Sequence, residues 1–254
     1  MAEAGPGRLA GKSAIVTGAA SGFGAGIARR FAREGARVVI ADVDVSGARA
    51  LADELGAAAL AVEADISKAA DVGALAQAAR DFGGPIDILV NNAGIGQRPK
   101  PLEGVEEAEF DRLIAVNVRS VYLTARAVVP QMKERRAGAI LNIASTGGVS
   151  PRPNLAWYNA SKGWMIAATR AMAIELARFR IRVNAINPVA GDTPLLATFM
   201  GEDTPEARER VLQTIPLRRL STPGDIAAAA AFLCSDEASL ITGVALEVDG
   251  GRCL

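Results

Sequence analysis

Short runs of apolar and β-branched residues recur along the chain, and stretches with helical periodicity separate them. The runs have the length and composition of buried strands, and they cover residues 13–17, 37–42, 59–64, 86–90, 138–144, 181–187 and 244–248. The helical stretches cover residues 24–34, 46–55, 71–82, 106–134, 156–179 and 223–233. Strands that alternate with helices in this way predict an α/β protein with a parallel sheet and helices on both faces.

One irregular stretch, residues 188–203, interrupts this alternation. Thr204-Pro205-Glu206 follows it, with the N-cap, first-turn proline and first-turn acid of a short helix that ends near Thr214. Long loops in compact folds are commonly functional, so we expect a substrate lid at about 189–214. No linker, charge block or long-period repeat divides the chain. We therefore expect a single domain over residues 1–254.

The composition is that of a compact soluble protein. Half of the 254 residues are hydrophobic, and 28 Lys and Arg residues balance 28 Asp and Glu residues, which does not favour a nucleic-acid partner. The longest apolar run, residues 226–233, is short of the roughly 18 residues of a membrane span. The N-terminal MAEAGPGRLA lacks the features of a signal peptide. We expect a cytoplasmic protein without a membrane partner.

The chain contains no histidine and only two cysteines. Without histidine, Ser-His-Asp hydrolysis, zinc-protease motifs and imidazole catalysis are excluded. Cys234 and Cys253 lack metal-ligand spacing, so we expect both to be packing residues and expect no metal site. Proton transfer must therefore use another side chain.

A glycine-rich turn links the first strand to the first helix, and its candidate cofactor residues are Gly18, Ser21, Gly22, Phe23 and Gly24. Glycines let the backbone turn tightly and let a pyrophosphate approach the helix N-terminus. Alone, this spacing is a weak signal, and a tight turn without a ligand is the alternative. The second strand ends in Asp42, where a carboxylate can bind both hydroxyls of an adenosine ribose and would repel a 2′-phosphate. The pattern favours NAD, and a solvated acid is the alternative.

Tyr158 and Lys162 lie four residues apart, on one face of a predicted helix. The pKa of a free tyrosine is about 10, and a nearby ammonium shifts it toward neutrality. Tyr158 is therefore the strongest acid/base candidate, whereas we expect Tyr122 to be a core residue. Ser145, at the end of the fifth strand, could bind a substrate oxygen, and the Asn117 amide could hold a backbone carbonyl or a water. Each of these two, read singly, is more typical of a structural residue.

Together these residues resemble the short-chain dehydrogenase/reductase family. The resemblance covers the chain from about residue 9 to its end, with TGAASGFG at 17–24, NNAG at 91–94, Asn117, Ser145, YNASK at 158–162 and NP at 187–188. Phe23 departs from the pattern, because the family usually has a smaller aliphatic residue there. The resemblance implies a Rossmann-type three-layer αβα sandwich with a seven-stranded parallel sheet. It also implies hydride transfer between a nicotinamide ring and an alcohol or carbonyl carbon.

The resemblance assigns roles to individual residues. Tyr158 would exchange the hydroxyl proton, and Ser145 would orient the substrate oxygen. Lys162 would bind the nicotinamide ribose and lower the tyrosine pKa, while Asn117 would hold a water that links Lys162 to solvent. Further cofactor contacts would come from Asp65 at the adenine, Asn91 at the adenosine ribose, Val189 and Thr193 at the carboxamide, and Ile66, Ala93, Gly94 and Pro188. A homotetramer is also implied, with Trp164 and Met165 either in the interface or in the core.

The substrate pocket would form between segments 94–100, 146–157 and 195–200. Its apolar surface would come from Leu155, Trp157, Leu196, Phe199 and Met200. Arg98 or Arg152 would select an acidic or strongly polar substrate if either pointed inward, although a solvated arginine is the more common case. The leading interpretation is NAD(H)-dependent interconversion of a secondary alcohol, such as a sugar, polyol or hydroxy acid, and its ketone. The alternatives are an NADPH-dependent 3-ketoacyl thioester reductase and a non-catalytic NAD-binding regulator.

Overall fold

The computed structural model describes residues 7–201 and 204–254, which fold around a seven-stranded parallel sheet. The strands are β1 (Ser13–Thr17), β2 (Arg37–Asp42), β3 (Ala59–Glu63), β4 (Ile88–Asn91), β5 (Gly138–Ile143), β6 (Ile181–Pro188) and β7 (Ala245–Val248). Their order across the sheet is β3-β2-β1-β4-β5-β6-β7. The predicted three-layer fold is confirmed, and so is each predicted strand.

Helices cover both faces of the sheet. They are α1 (Gly22–Arg33), α2 (Val45–Leu55), α3 (Ala69–Gly83), α4 (Glu107–Ile114), α5 (Ser120–Arg135), α6 (Ala156–Leu176), α7 (Leu195–Met200), α8 (Pro205–Gln213) and α9 (Pro223–Cys234). The core on one face lies under α1, α2 and α9, and the core on the other lies under α3, α5 and α6. Val38 and Ile40 of β2 enter the first core, whereas Val39 and Ala41 enter the second. Strands buried on both faces need apolar residues throughout, which explains the continuous runs in the sequence.

The order of the strands reverses between β1 and β4. The chain builds β1, β2 and β3 outward on one side, and then returns to place β4 next to β1. The loops after β1 and β4 therefore leave in opposite directions and open a crevice at the carboxyl edge of the sheet. The glycine turn, Asp42 and Ser145 all lie at this edge.

The predicted helix at 106–134 is divided. A π-helical turn, Ala115–Arg119, joins α4 to α5. Tyr122 on α5 is 55% exposed, so its prediction as a core residue is wrong, because the helix turns Val121 and Leu123 inward instead. The short helix α7 lies within the stretch that looked irregular, since six residues are too few to show helical periodicity.

The helical segment Glu107–Arg135 is long and apolar enough, by length and composition, to cross a membrane. In the structure, one side of this segment packs into the domain. Val121, Leu123, Val128 and Met132 are buried within the domain. Asn117, in the middle of the segment, is also fully buried and hydrogen bonded to the protein.

Candidate active site

A cavity of about 620 Å³ lies at the carboxyl edge of the sheet, over the reversal in strand order. The glycine turn and the ends of β2 and β3 line one end, and α6 with the ends of β5 and β6 lines the other. Helices α7 and α8 border the second end. The predicted site residues that line the cavity are Gly18, Ser21, Gly22, Phe23, Asp42, Asp65, Ile66, Ala93, Gly94, Ser145, Arg152, Leu155, Tyr158, Lys162, Pro188, Val189, Thr193, Leu196 and Phe199.

The glycine turn has the backbone geometry of a phosphate-binding loop. Gly18 and Gly22 adopt φ angles of 62° and 55°, in the region that favours glycine. Gly24 does not line the cavity; a Cβ there would lie 2.5 Å from Nδ2 of Asn92, so this glycine lets α1 pack closely. The Ser21 side chain makes no capping hydrogen bond, which leaves the first amides of α1 available to a pyrophosphate. The turn therefore fits a dinucleotide.

Two carboxylates lie at the adenosine end of the cavity. Asp42 accepts hydrogen bonds from the backbone amides of Ala20 at 2.9 Å and Asp44 at 3.0 Å. Each of its oxygens keeps a further lone pair for a ribose hydroxyl. Asp65 accepts hydrogen bonds from the Ser67 hydroxyl and amide, and these bonds hold the pKa of Asp65 below its usual value. This end of the cavity is therefore acidic.

The contact predicted between Asn91 and the adenosine ribose cannot come from the Asn91 side chain. Its Nδ2 donates to Asn142 at 2.9 Å and its Oδ1 accepts from Thr124 at 2.8 Å, so the amide is buried behind the cavity wall. Asn92 lines the cavity instead, and its Nδ2 donates to two carbonyls at the start of the glycine turn. Successive residues of a strand point in opposite directions, so one asparagine faces the cavity and the other does not.

Ser145, Tyr158 and Lys162 meet at the opposite end of the cavity. Nζ of Lys162 lies 5.9 Å from the centre of the Tyr158 ring, as their spacing on α6 predicts. Nζ also donates to the Ile143 carbonyl at 2.9 Å, which ties the lysine to the end of β5. The Ser145 hydroxyl accepts a hydrogen bond from the Gly147 amide at 3.0 Å, and it lies within hydrogen-bonding reach of the Tyr158 hydroxyl.

Burial sets the protonation of this group of residues. Burial raises the pKa of Tyr158, while the Ser145 hydroxyl and the charge of Arg152 act in the opposite direction. Burial also lowers the pKa of Lys162 to about 8. Within the chain itself, desolvation therefore opposes the lowering of the tyrosine pKa that was expected from Lys162. Tyr158 is held as a protonated phenol, the form that can donate a proton to a carbonyl oxygen.

Asn117 lies in the π-helical turn, behind Gly94. Its Oδ1 accepts from the Ile95 amide at 2.9 Å, and its Nδ2 donates to the Ile95 carbonyl at 3.0 Å and to Ser161 at 3.2 Å. The amide therefore holds a backbone carbonyl, one of its two expected roles, and ties the loop after β4 to α6. A π-turn at this point is typical of a functional site. The water predicted beside Asn117 stays a prediction.

The predicted lid packs over the tyrosine. Phe199 on α7 lies against Tyr158, with ring centres 4.8 Å apart, and Leu196 is buried beside it. Thr193 approaches the glycine turn, where a Cβ on Gly22 would lie 3.4 Å from its side chain. Glu202 and Asp203 of the predicted lid lie outside the described residues.

Two predicted substrate contacts, Trp157 and Met200, are wrong. Trp157 does not line the cavity; its Nε1 donates to the Leu102 carbonyl at 3.2 Å and its ring packs edge-on against Phe110. Trp157 precedes Tyr158 and Met200 follows Phe199 in the chain. Consecutive residues of a helix point in different directions, so when Tyr158 and Phe199 face the cavity, Trp157 and Met200 do not. Arg98 is exposed and does not line the cavity, which agrees with the alternative of a solvated arginine.

Two residues near the site escaped the sequence analysis. Gln97 is buried, and its Oε1 accepts from the Tyr158 amide at 3.1 Å, which satisfies the first turn of α6. Arg252 lines the cavity from the C-terminal turn, and its guanidinium donates to Ser150 at 3.3 Å. Neither residue belongs to a motif, and the contacts of each depend on a chain segment distant in sequence.

Comparisons with known proteins agree with this geometry. Residues 18–252 match the family described as Enoyl-(Acyl carrier protein) reductase. The 4-formylbenzenesulfonate dehydrogenase TsaC1/TsaC2 of Comamonas testosteroni is 51% identical over 94% of this chain and 96% of that protein. The crystal structure of 3-ketoacyl-(acyl-carrier-protein) reductase from Brucella melitensis with NADH has a TM-score of 0.92 and 58% identity, over 97% of this chain and 100% of that one. That of 7α-hydroxysteroid dehydrogenase with NADH and 7-oxo glycochenodeoxycholic acid has a TM-score of 0.90 and 41% identity, over 96% and 95%.

The fold, the glycine turn and the Ser-Tyr-Lys arrangement agree with the match over almost the whole chain. The protein is an oxidoreductase that acts on CH-OH groups, and it belongs to the short-chain dehydrogenase/reductase family.

Proposed function

We propose that the protein is an NAD(H)-dependent dehydrogenase that interconverts a small secondary alcohol and its ketone. The observation that carries the proposal is a single cavity with Asp42 at one end and Ser145, Tyr158 and Lys162 at the other. The bound nicotinamide ring would exchange a hydride with the substrate carbon. Tyr158 would give a proton to the carbonyl oxygen or take it from the hydroxyl, while the Ser145 hydroxyl holds that oxygen in place.

Preference for NAD over NADP rests on the charge at the ribose. Asp42 would repel a 2′-phosphate, and the glycine turn at 17–24 contains no Lys or Arg to offset it. The two NADH complexes among the similar structures support this choice. The test is the initial rate of ketone reduction with NADH and with NADPH. A strong preference for NADPH would contradict the assignment of Asp42.

A ketoacyl thioester reductase is the second candidate, and the likeness to the Brucella protein favours it. Acetoacetyl thioesters and small free ketones, offered with both cofactors, separate the two functions. Activity confined to the thioesters would support the second candidate. A non-catalytic regulator is disfavoured, since such a protein has no need of Ser145, Tyr158 and Lys162 in one cavity.

We also infer a homotetramer, assembled through the outer faces of α5 and α6. Tyr122, Trp164 and Ile174 are 55%, 40% and 82% exposed on these helices, whereas Met165 is buried in the core. Exposed apolar groups of this kind are typical of protein interfaces. Light scattering of the purified protein measures the assembly. The expected cytoplasmic location stays a prediction.

A further inference from the structure

We propose that Arg152 and Arg252 together bind an anionic group of the substrate, a carboxylate or a sulfonate, at the end of the cavity beyond Tyr158. The inference rests on the proposed function and names the class of substrate that the same site accepts. It replaces the expectation for Arg98, which lies outside the cavity lining, and adds a residue from the end of the chain.

Arg152, Arg252 and Ser150 all line the cavity, and the two guanidinium groups lie close enough to repel each other. Arg252 donates to the Ser150 hydroxyl at 3.3 Å, and neither arginine forms an ion pair within residues 7–201 and 204–254. Over the same residues, the Arg152 guanidinium makes no hydrogen bond; only its backbone carbonyl is engaged. Arginine side chains that are partly withdrawn from water normally find an acidic partner. Here Arg152 and Arg252 line the cavity instead, with guanidinium N–H groups left for a ligand.

The energetics of the pair favour an anion between them. Burial lowers the pKa of Arg152, and the like charge of Arg252 lowers it further. Both effects are costs to the folded protein, and a carboxylate or sulfonate in the cavity would reduce both. Planar guanidinium groups also match the two oxygens of such an anion.

The backbone holds both arginines in place. Nδ2 of the buried Asn159 donates to the Arg152 carbonyl at 2.8 Å, which ties the loop before α6 to the helix that carries Tyr158. The Asp249 carboxylate accepts from the amides of Gly251 and Cys253, both at 2.8 Å, and so fixes the turn that presents Arg252. These contacts place the charges without involving either guanidinium.

The remaining lining defines the rest of the substrate. Among the described residues that line the cavity, the acids are Asp42 and Asp65, both at the adenosine end. Leu155, Leu196 and Phe199 supply apolar surface to the same cavity as the catalytic hydroxyls and the arginines. The site therefore fits an organic anion with an apolar body and a carbonyl or hydroxyl group that reaches Ser145.

The test is calorimetric binding of benzenesulfonate and of its uncharged analogue benzenesulfonamide to the NADH complex. We expect the parent to bind the sulfonate at least about tenfold more tightly, and Arg152→Met or Arg252→Met to weaken it by about 10- to 100-fold. Arg152→Lys should keep more of this preference than Arg152→Met. Binding of the sulfonamide should not change, and the exposed control Arg98→Met should behave like the parent.

Equal affinity of the parent for the two compounds would overturn the proposal, and so would variants that retain its preference. A carboxylate from a second copy of the chain is the competing occupant. In that case the parent would show no preference and Arg252→Met would change the mass of the assembly. The binding readout does not depend on turnover, so its failure is distinct from failure of the dehydrogenase assignment.

Turnover provides the second readout. With para-acetylbenzenesulfonate and para-acetylbenzenesulfonamide as ketones, both methionine variants should lose much more kcat/KM for the charged compound than for the uncharged one. Absence of NADH oxidation with either ketone, alongside intact sulfonate binding, would count against these compounds as substrates of the proposed dehydrogenase and not against the anion site.

Discussion

The ring of Phe23 lies against the α-carbon of Gly191. A Cβ on Gly191 would contact Cζ of the ring and would lie 2.6 Å from its Cε1. Phe23 is the residue of the glycine turn that departs from the family pattern. Gly191 lies just after β6, at the start of the predicted lid. The larger ring of Phe23 therefore needs a glycine opposite it, and Gly191 provides one.

This pairing predicts a coupled effect on stability. Gly191→Ala should lower the free energy of unfolding by about 1–3 kcal/mol, because the new methyl group overlaps the ring. In a Phe23→Leu background the same substitution should cost much less, since leucine lacks the ring atoms nearest Gly191. Urea unfolding measures the four proteins of this cycle.

The control for this cycle is Gly73→Ala, at a helical position in α3 with open space around it. It should be neutral or stabilising by up to about 1 kcal/mol. An equal cost of Gly191→Ala in both backgrounds would show that the ring is not the cause.

The Asp42 carboxylate should set cofactor preference. Asp42→Asn removes the charge and keeps one of the two side-chain oxygens that accept from the amides of Ala20 and Asp44. We expect the ratio of kcat/KM for NADH to that for NADPH to fall by about tenfold or more, as the repulsion of a 2′-phosphate is lost. Asp44→Asn is the matched control, since it removes a charge two residues away that does not line the cavity. The same change in both variants would indicate a general electrostatic effect.

The buried Lys162 should make stability depend on pH. Its pKa falls from 10.5 to about 8 on burial. Between these values the folded protein has lost a proton that the unfolded chain keeps, so this residue's contribution to stability rises with pH across the window. Below the window both states are protonated, and the folded state carries the full cost of the buried charge.

Lys162→Met removes this dependence. Relative to the parent, the variant should be most stable near pH 7. Its advantage in unfolding free energy should shrink by about 3 kcal/mol by pH 10.5, where the folded parent has lost the buried charge. The comparison cancels the contributions of other titrating groups. A difference that stays constant with pH would mean that Lys162 is not desolvated.

The contact between Phe199 and Tyr158 should affect the substrate more than the cofactor. Phe199→Ala opens the apolar wall over the tyrosine ring, and we expect KM for a ketone to rise about tenfold, in line with the loss of a buried aromatic contact. The affinity for NADH should change little. Met200→Ala, one residue along and outside the cavity lining, is the control. A larger loss of NADH affinity than of ketone affinity would place Phe199 in the cofactor site.

Local patterns predicted most of the fold and the polar centre of the site. The strands could be read from continuous apolar runs, because burial on both faces leaves no other composition. Tyr158 and Lys162 followed from helical spacing and from the absence of histidine. By contrast, the sequence did not show on which side of its strand or helix each of Asn91, Trp157 and Met200 lies. A shift of one residue reverses that side, and a short motif does not fix it.

Contacts between distant segments were out of reach of the sequence. Gln97 acts on Tyr158 from 61 residues away, and Arg252 reaches Ser150 from 102 residues away. The exposure of Tyr122 likewise depends on which face of α5 meets the sheet. Such pairings arise only when the elements pack together.

The most direct test of the catalytic assignment is Tyr158→Phe, which removes one hydroxyl and keeps the ring against Phe199. NADH affinity should stay within about twofold of the parent, while kcat for ketone reduction falls by about 100- to 10,000-fold, the usual contribution of a positioned acid. Retention of parental turnover with NADH bound normally would contradict the role of Tyr158 and the mechanism built on it.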